Sequence, residues 1–347
     1  MRSRQVGELA LLKGIRSQAA RQVGSGLRLG IGDDCALLLQ RREEELAVTT
    51  DLSIAGRHFR LEWHPPESVG HRTLARGLSD LAAMGARPLA SFLSIGLPRD
   101  LAITGRRFAR KEGSRNASSA RQTWFDRFLA GFLALADSCQ TPLAGGDLAE
   151  SPIPLADIVL VGAVPLGRAL MRSGSRSGDM LYVTGTLGGS SMALEQLGKL
   201  MGAGTTRPRR IPQSMQETLA PHLYPQPRLA QGRYLQRRGL ASSAIDLSDG
   251  LSSDLAQLCT ESEVSAEVDA EALPIHPGAT LDQALNGGED YELLFTARPS
   301  VRIPGVIAGV PVTRIGRIRN RSNRPPVTLI TPHGDQPLTP RGWQHFS

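Results

Sequence analysis

Five short segments of this chain present aspartate beside glycine, serine or threonine. They are Gly32-Asp33-Asp34, Thr49-Thr50-Asp51, Leu78-Ser79-Asp80, Gly145-Gly146-Asp147 and Asp246-Leu247-Ser248-Asp249-Gly250. Mg²⁺ prefers oxygen ligands such as these, and it usually keeps water or substrate phosphate in its remaining positions. Two carboxylates about 4 Å apart repel each other by roughly 4 kcal/mol at an effective dielectric of 20. If the fold brings the segments together, we expect a cation among them.

Each segment also has an ordinary structural explanation. Glycine and aspartate favour turns, and a threonine or an aspartate can cap a helix. Asp80 differs, because a lone carboxylate in a largely apolar helix is costly unless it is paired. The chain has no GxxxxGK[ST] loop and no GxGxxG opening a helix, so these phosphate-binding motifs are absent. Turns and caps do not readily explain five such segments, and a metal-assisted phosphate site is favoured.

Alternating strands and helices must position these carboxylates. A strand over 45–50 would deliver Asp51 at its end, and the helical spacing of apolar residues over 68–86 places Asp80 on a helix. Gly145 to Asp147 is expected in a turn after a short strand. A strand over 244–246 would lead through the last acidic segment into a helix over 251–260. This alternation indicates α/β or α+β architecture, and we expect domains at 1–165 and 166–347.

Composition indicates a globular protein located in the cytoplasm. The 347 residues are 40% hydrophobic and 21% charged, with aromatic residues scarce at 4%, so the core must be mostly aliphatic. No apolar run is long enough to span a bilayer, and Glu8 and Lys13 interrupt any signal-peptide core. The three cysteines are far apart and form no CxxC, which favours reduced thiols over a zinc site or a disulfide framework.

The net charge of +7 is concentrated in two stretches. Residues 103–122 hold six basic residues against Glu112 alone, and residues 314–324 hold five arginines and no acid. A solvated surface is the favoured interpretation, and a nucleic-acid or polyphosphate contact is the alternative. Neither stretch contains the interleaved aromatic residues of single-strand binders. We therefore expect no nucleic-acid partner and no membrane partner.

Longer segments around the aspartates resemble the thiamine-monophosphate kinase family, in the same order and over nearly the whole chain. The segments are GIGDDCALL (30–38), TTDLSIAGRHF (49–59), LSDLAAMGARP (78–88), GGD (145–147), RALMRSG (168–174), VTGTLGG (183–189), AIDLSDGLSSDL (244–255) and GGEDYELLFT (287–296). One departure is Leu148, since the family usually has threonine after Gly-Gly-Asp. A second is the basic stretch 103–122, which looks like an insertion.

The resemblance implies ATP-dependent phosphorylation of thiamine monophosphate to thiamine diphosphate, with Mg²⁺. It also implies a homodimer in which two N-terminal domains form a shared β-barrel. Each chain would add a C-terminal α/β domain with a mixed sheet, and ATP would lie in a cleft close to the dimer interface. The acceptor phosphate is already ionised, so positioning and charge neutralisation would supply most of the catalysis.

The resemblance also assigns roles to individual residues. The implied metal ligands are Asp34, Thr49, Thr50, Asp51, Asp80, Asp147, Asp246 and Asp249. Of these, Asp51, Asp147 and Asp249 would be catalytic. The implied nucleotide contacts are Gly146, Asp147, Arg172 and Ser248, and the implied substrate contacts are His58, Glu289 and Trp343. Trp343 could stack on the cationic aromatic thiamine.

Two alternatives remain open at this point. The first is a sister enzyme of the same superfamily, such as a hydrogenase maturation factor or selenophosphate synthetase. Both are disfavoured, because the chain lacks a C-terminal cysteine and Cys35 does not lie in a reactive Gly-rich context. The second is an inactive or bifunctional relative that binds nucleic acid through its two basic stretches, which would make binding strongly salt-dependent.

Overall fold

The structure, a computed structural model, describes residues 8–19, 26–31, 35–103, 122–202, 210–321 and 326–342. Asp33, Asp34, Trp343 and most of the basic stretch 103–122 therefore lie outside the described residues. Within them, the chain folds into a four-stranded sheet and an eight-stranded sheet, each with helices packed against it, and a small two-stranded ribbon.

The N-terminal half contains the four-stranded sheet and its helices. Its elements are α1 (Glu8–Ala19), β1 (Leu27–Leu29), β2 (Leu37–Leu38), β3 (Glu44–Ile54), α2 (Pro66–Ala83), β4 (Arg87–Leu97), α3 (Arg99–Ile103), α4 (Trp124–Ser138), β5 (Leu143–Glu150) and β6 (Leu155–Pro165). The sheet order is β3-β6-β4-β5, in which β4 and β5 pair in parallel and the other neighbours are antiparallel. The predicted helix carrying Asp80 and the predicted strand carrying Asp51 are both present.

The C-terminal half contains the eight-stranded sheet. Its elements are β7 (Met180–Thr184), α5 (Gly189–Met201), α6 (Gln216–Leu223), α7 (Leu229–Arg238), β8 (Ser243–Asp246), α8 (Leu251–Glu261), β9 (Val264–Asp269), α9 (Leu281–Asn286), β10 (Leu293–Ala297), β11 (Val306–Ile307), β12 (Val310–Asn320), β13 (Val327–Ile330) and β14 (Gln336–Pro337). The order is β14-β13-β9-β12-β7-β10-β8, with β11 beside β12. Parallel and antiparallel pairs occur together, so this sheet is mixed.

Helix α2 is the central element that positions the site. One side packs on α4 and on the sheet strands β3 and β6, and another contacts α6, α7 and β8 of the C-terminal half. Because it is covered on several sides, even its polar residues Ser68, His71 and Arg72 are buried. Polar groups in such a helix need specific partners. Ser68 donates to the Pro65 carbonyl at the start of the helix, while His71 and Arg72 bind carbonyls of Pro225 and His222 across the contact between the two halves.

Two local expectations are wrong in detail. Strand β3 does not end at Asp51, because its pairing with β6 continues to Ile54. Gly145 to Asp147 do not form a turn, since they lie inside β5 and pair with Phe92 to Ser94 of β4 after a register shift. Gly146 has φ 146°, and a Cβ there would lie 1.8 Å from the carbonyl oxygen of Leu93. Glycine at this position therefore permits close approach of two strands rather than a turn.

The fold class is confirmed as mixed α/β with mixed sheets. No closed barrel is formed by the described residues of a single chain, so the barrel shared across a dimer stays a prediction. The four-stranded sheet ends at Pro165 and the next sheet begins at Met180, while the domain limits at 165 and 166 stay predictions too. Among the helices that the structure describes, none is long and apolar enough to cross a membrane.

Candidate active site

Three of the predicted acidic segments meet where β3, α2 and β8 come together. Thr49 Oγ1 donates a hydrogen bond to Asp80 Oδ2 at 2.5 Å. The neighbouring Ser79 Oγ donates to Asp246 Oδ2 at 2.7 Å, across the contact between the two halves of the chain. Consecutive residues of α2 therefore link the N-terminal sheet to the C-terminal sheet through hydroxyl–carboxylate bonds.

The carboxyl groups at this junction are destabilised as anions. Burial raises the pKa of Asp80 to about 6, the hydrogen bond from Thr49 lowers it, and the nearby Asp51 raises it further. Burial likewise raises the pKa of Asp246 to about 7, and repulsion from Asp80 adds to this rise. Burial also raises the pKa of Asp51, against the opposing effect of Arg76. The cluster thus holds more negative charge than its surroundings stabilise.

Two arginines supply positive charge beside the cluster. The Arg76 guanidinium lies 3.1 Å from Asp51 Oδ1. Arg172 is close enough to lower the pKa of both Asp80 and Asp246, and its Nη1 donates to Gln257 Oε1 at 3.1 Å. Arg172, predicted to contact nucleotide, therefore lies at the edge of the acidic cluster.

The donor set suits a hard divalent cation, although the ligands are not gathered into a coordination shell. Within the described ranges, no three His, Cys, Asp or Glu side chains are close enough to hold an ion as they stand. The observation that fits Mg²⁺ is the burial of Asp80 and Asp246, whose mutual repulsion a cation would relieve. Hydroxyls of Thr49 and Ser79 stand beside them.

The last acidic segment is fixed by a carboxylate that the sequence analysis did not single out. Asp254 Oδ2 accepts hydrogen bonds from the amides of Ser248, Asp249 and Gly250, at 3.0 to 3.1 Å. Asp254 is 2% exposed. Burial, with repulsion from Asp246 and Asp249, raises its pKa to about 8. An acidic residue in the first helical turn after Gly250 was the signal that could have revealed it.

The segment from Gly287 to Glu292 runs alongside this turn. The amide of Glu289 donates to the Ser248 carbonyl at 2.8 Å, and the amide of Tyr291 donates to the Leu247 carbonyl at 2.9 Å. Glu289 and Tyr291 adopt positive φ values of 66° and 51°, which non-glycine residues rarely do. Such backbone strain persists only where surrounding contacts enforce it, and it concentrates at functional sites.

The carboxylates of the same segment join several elements. Glu289 accepts from Arg72 Nη2 at 2.8 Å through both oxygens. Burial opposes its charge, but Arg72 and Arg76 outweigh burial and lower the pKa of Glu289. Asp290 accepts from the amides of Gly188 and Ser190, which open α5. Glu289, predicted to contact substrate, is thus held at the junction of the two halves.

The remaining predicted residues lie elsewhere. Along β3 the side chain of Thr50 lies on the opposite face from Thr49 and Asp51, because successive strand residues alternate. Asp147 lies on β5, at the other edge of the sheet, and its Oδ1 accepts from the Leu148 amide at 2.9 Å. His58 Nδ1 accepts from the Ile54 amide at 3.0 Å. Asp34 and Trp343 fall outside the described residues.

A cavity of about 460 Å³ opens against β5. Gly145, Gly146 and Asp147 form one wall, and apolar side chains of α1, α4 and β4 form the others, including Ile15, Phe92 and Leu129. Ligand pockets commonly have about this size and combine apolar walls with a few polar groups. Its polar wall consists of the segment for which nucleotide contacts were predicted.

Comparison with known proteins identifies the class. The family model for AIR synthase related protein, N-terminal domain, matches residues 32–164, and the C-terminal domain model matches residues 176–323. The two matches span most of the chain, so its fold is that of the AIR synthase related proteins. Thiamine-monophosphate kinase of Escherichia coli (strain K12) is 37% identical over 304 residues, which covers 84% of each chain. The chain belongs to the thiamine-monophosphate kinase family.

Solved structures agree with this relationship. The crystal structure of thiamine-monophosphate kinase from Stenotrophomonas maltophilia K279a is 35% identical with a TM-score of 0.73, covering 93% of this chain and 96% of that one. The structure of AaThiL complexed with AMPPCP and TMP is 28% identical with a TM-score of 0.72, covering 100% of this chain and 99% of that one. The similarity therefore extends through both halves of the fold.

Proposed function

We propose that this chain transfers the γ-phosphoryl group of ATP to thiamine monophosphate and so forms thiamine diphosphate. The observation that carries the proposal is the junction of Asp51, Asp80 and Asp246, in a chain similar over its whole length to AaThiL complexed with AMPPCP and TMP. Named relatives, 37% identical over 84% of the chain, support the same substrate pair.

The reaction forms one P–O bond and breaks another. An oxygen of the acceptor phosphate attacks the γ-phosphorus, the bond to the β-phosphate oxygen breaks, and ADP leaves. Because the acceptor oxygen is already ionised, no strong general base is needed. Bound Mg²⁺ supplies charge neutralisation between the two anions and aligns them. Asp51, Asp80 and Asp246 would hold it, with Thr49 and Ser79 orienting Asp80 and Asp246.

The cavity beside β5 is the proposed nucleotide pocket. Its apolar walls suit the face of a purine ring, and Gly146 and Asp147, the predicted nucleotide contacts, line its polar wall. Asp254 holds the Ser248–Gly250 turn, so that Ser248 and Asp249 keep one orientation towards the phosphates. Glu289 and His58 would contact the thiamine end, as the family resemblance implies.

A second copy of the chain would complete the site. Leu52 pairs with Asp157, Asp157 with Ser94, and Ser94 with Asp147, so Asp147 lies three strands away from β3. Strands lie about 4.8 Å apart, which gives roughly 14 Å. Mg²⁺ ligands lie about 2.1 Å from the ion, so Asp51 and Asp147 of one chain could not share one ion. If Asp51 and Asp147 serve the same ion, that ion would lie between two chains.

The exposed face of β3 supports the homodimer. Leu46, Val48 and Leu52 are 44%, 60% and 44% exposed on this edge strand. An uncovered apolar edge strand favours pairing with another chain. A second copy is the occupant we propose, within a cytoplasmic enzyme whose domains divide at residues 165 and 166. The basic strand β12 gives little support to nucleic-acid binding, since Arg317 and Arg319 both pair with Glu267.

The first experiment follows the product. Purified protein with ATP, Mg²⁺ and thiamine monophosphate is expected to form thiamine diphosphate, detected by chromatography. Asp51→Asn should lower kcat roughly 100- to 1,000-fold, since it removes a ligand of the Mg²⁺ that would neutralise the transferring phosphoryl group. Asp137→Asn, at an exposed position of α4, is the matched control and should leave the rate unchanged. No diphosphate from folded wild-type protein that binds ATP would contradict the proposal.

A further inference from the structure

Helix α2 presents three charged side chains at four-residue spacing, Arg72, Arg76 and Asp80. Residues at this spacing lie on one helical face. The donors of Arg72 are taken up by protein groups, since it binds Glu289, the His222 carbonyl at 2.6 Å and the His58 carbonyl at 3.2 Å. Arg72 therefore fixes the junction and is poorly placed to bind a ligand.

Arg76 is paired very differently. Among the described residues, its guanidinium has a single ion pair, to Asp51 at 3.1 Å. A guanidinium carries five N–H donors in a planar fork, so one contact leaves most of them for another partner. The side chain is 18% exposed. Burial opposes its charge, and the nearby Tyr291, Asp51 and Glu289 outweigh burial and raise the pKa of Arg76.

The position of Arg76 connects the two ends of the proposed site. On one side lies Asp51, a proposed metal ligand. On the other lies a small cavity of about 10 Å³, lined by Ser53, His58, Phe59, Arg72 and Arg76 among others. This volume accommodates roughly one water. Arg76 therefore contacts Asp51, a proposed metal ligand, and lines the same cavity as His58, a proposed thiamine contact.

We propose that Arg76 binds the phosphate of the acceptor and makes the site selective for the phosphate ester over the free alcohol. The inference rests on the proposed function, because it assumes that thiamine monophosphate is the acceptor. In the structure described here Asp51 neutralises Arg76. When Asp51 is engaged in holding a cation, the guanidinium needs another anion, and a phosphate matches its fork with two parallel hydrogen bonds.

The test separates acceptor binding from catalysis. Binding of thiamine monophosphate and of thiamine is measured by calorimetry with Mg²⁺ and without ATP, and KM for each substrate is measured by product formation. Arg76→Met should weaken thiamine monophosphate binding by about 10- to 100-fold and leave thiamine binding within about threefold. KM for ATP should change by less than about threefold. Arg76→Lys keeps the positive charge without the planar guanidinium, so its affinity for thiamine monophosphate should fall by an intermediate amount.

Arg87→Met is the matched control. Arg87 is 19% exposed and, like Arg76, forms an ion pair with a carboxylate, that of Glu44 at 3.0 Å, but it lies outside the proposed site. Arg87→Met should leave the affinities for thiamine and thiamine monophosphate unchanged. Thermal unfolding of all variants shows whether they fold. If Arg76→Met fails to fold, Arg76→Lys alone decides: an unchanged monophosphate affinity would overturn the inference.

Other outcomes are equally decisive. Equal weakening of thiamine binding and thiamine monophosphate binding would mean that Arg76 shapes the cavity and does not contact the phosphate. A change in the Mg²⁺ requirement alone would make Arg76 a counter-ion for Asp51. Either result overturns the inference while wild-type protein still forms thiamine diphosphate. If the wild type forms none, the proposed function itself has failed.

Discussion

At the scale of single residues, Asp254 is the clearest positioning group. Asp254→Ala would leave the amides of Ser248, Asp249 and Gly250 without their acceptor in a buried place. Leaving a buried donor unpaired costs about 1–3 kcal/mol, so we expect the free energy of unfolding to fall by that order. We also expect KM for ATP to rise, since Ser248 is a proposed nucleotide contact. Denaturant unfolding and steady-state kinetics measure the two effects.

The control for Asp254 is another acidic residue in a first helical turn. Asp282 of α9 has a side chain 72% exposed. Asp282→Ala should change the free energy of unfolding by no more than about 0.5 kcal/mol and should leave KM for ATP unchanged. Asp254→Asn keeps an oxygen acceptor, so its free energy of unfolding should fall less than that of Asp254→Ala. Similar losses for Asp254→Ala and Asp282→Ala would show that the three hydrogen bonds do not hold the turn.

Residue identity alone singled out five acidic segments, of which the structure brings three together, while their role as metal ligands stays a prediction. Asp51, Asp80 and Asp246 were chosen because carboxylates beside hydroxyls suit a hard cation, and the structure brings them together. Their counter-charges were missed, since Arg72 and Arg76 are ordinary helix residues until α2 is seen packed between the two halves. Partners distant in sequence, such as Arg72 and Glu289, depend on tertiary contact that no local pattern encodes.

At the scale of elements, helix α4 shows what local sequence can determine. It runs from Trp124 to Ser138, and its start is set locally, because Thr123 and Asp126 form reciprocal capping hydrogen bonds of 2.9 Å and an apolar face follows. The limits of β3 and β5 were harder to predict. Strand pairing with β6 extends β3 past Asp51, and parallel pairing with β4 draws Gly145 to Asp147 into β5. Pairing partners, more than propensity, decide where a strand ends.

The separation of β3 and β5 leads to a prediction about shared sites. If Asp51 of one chain and Asp147 of another form one site, mixing two inactive variants should restore activity. In a dimer of one Asp51→Asn chain and one Asp147→Asn chain, one site keeps both aspartates. Random re-assortment of equal amounts should give about a quarter of wild-type activity, measured as thiamine diphosphate formed after the variants are denatured together and refolded.

The matched control is a mixture in which no site can be intact. Asp51→Asn mixed with a chain carrying both substitutions should stay inactive, because every shared site then lacks one carboxylate. Wild-type protein taken through the same refolding gives the reference rate. Absence of recovery in the first mixture, with full recovery of the wild type, would show that each chain forms its site alone.

At the scale of the whole molecule, a buried histidine pair joins the two halves. His64 Nε2 lies 3.0 Å from His222 Nε2. Burial, then the charge of Arg72, lowers the pKa of His64 to about 3, while the backbone hydrogen bond with Arg60 and the charge of Glu289 act in the opposite direction. Burial, Arg72 and His64 likewise lower the pKa of His222. The contact between the two halves therefore favours the neutral form of both imidazoles.

Acid should weaken this contact in a defined window. A histidine whose pKa is lowered by folding binds more protons in the unfolded state. Its contribution to the free energy of unfolding is therefore present above pH 6.5 and is lost as the pH falls towards 3. At pH 5, His64 should have lowered the free energy of unfolding by roughly 2 kcal/mol. Burial raises the pKa of Asp80, Asp246 and Asp254, which acts in the opposite direction over the same range. The effect must therefore be measured as a difference between variants.

His64→Gln removes the titrating ring at the contact between the halves. Although the variant should be less stable at pH 7, its free energy of unfolding should fall less than that of the wild type between pH 7 and pH 5, by about 2 kcal/mol. Urea unfolding at several pH values gives this difference. For His333→Gln, at an exposed position, the plot of unfolding free energy against pH should be parallel to that of the wild type. Parallel curves for His64→Gln as well would mean that the imidazole at position 64 does not couple proton binding to the contact between the two halves.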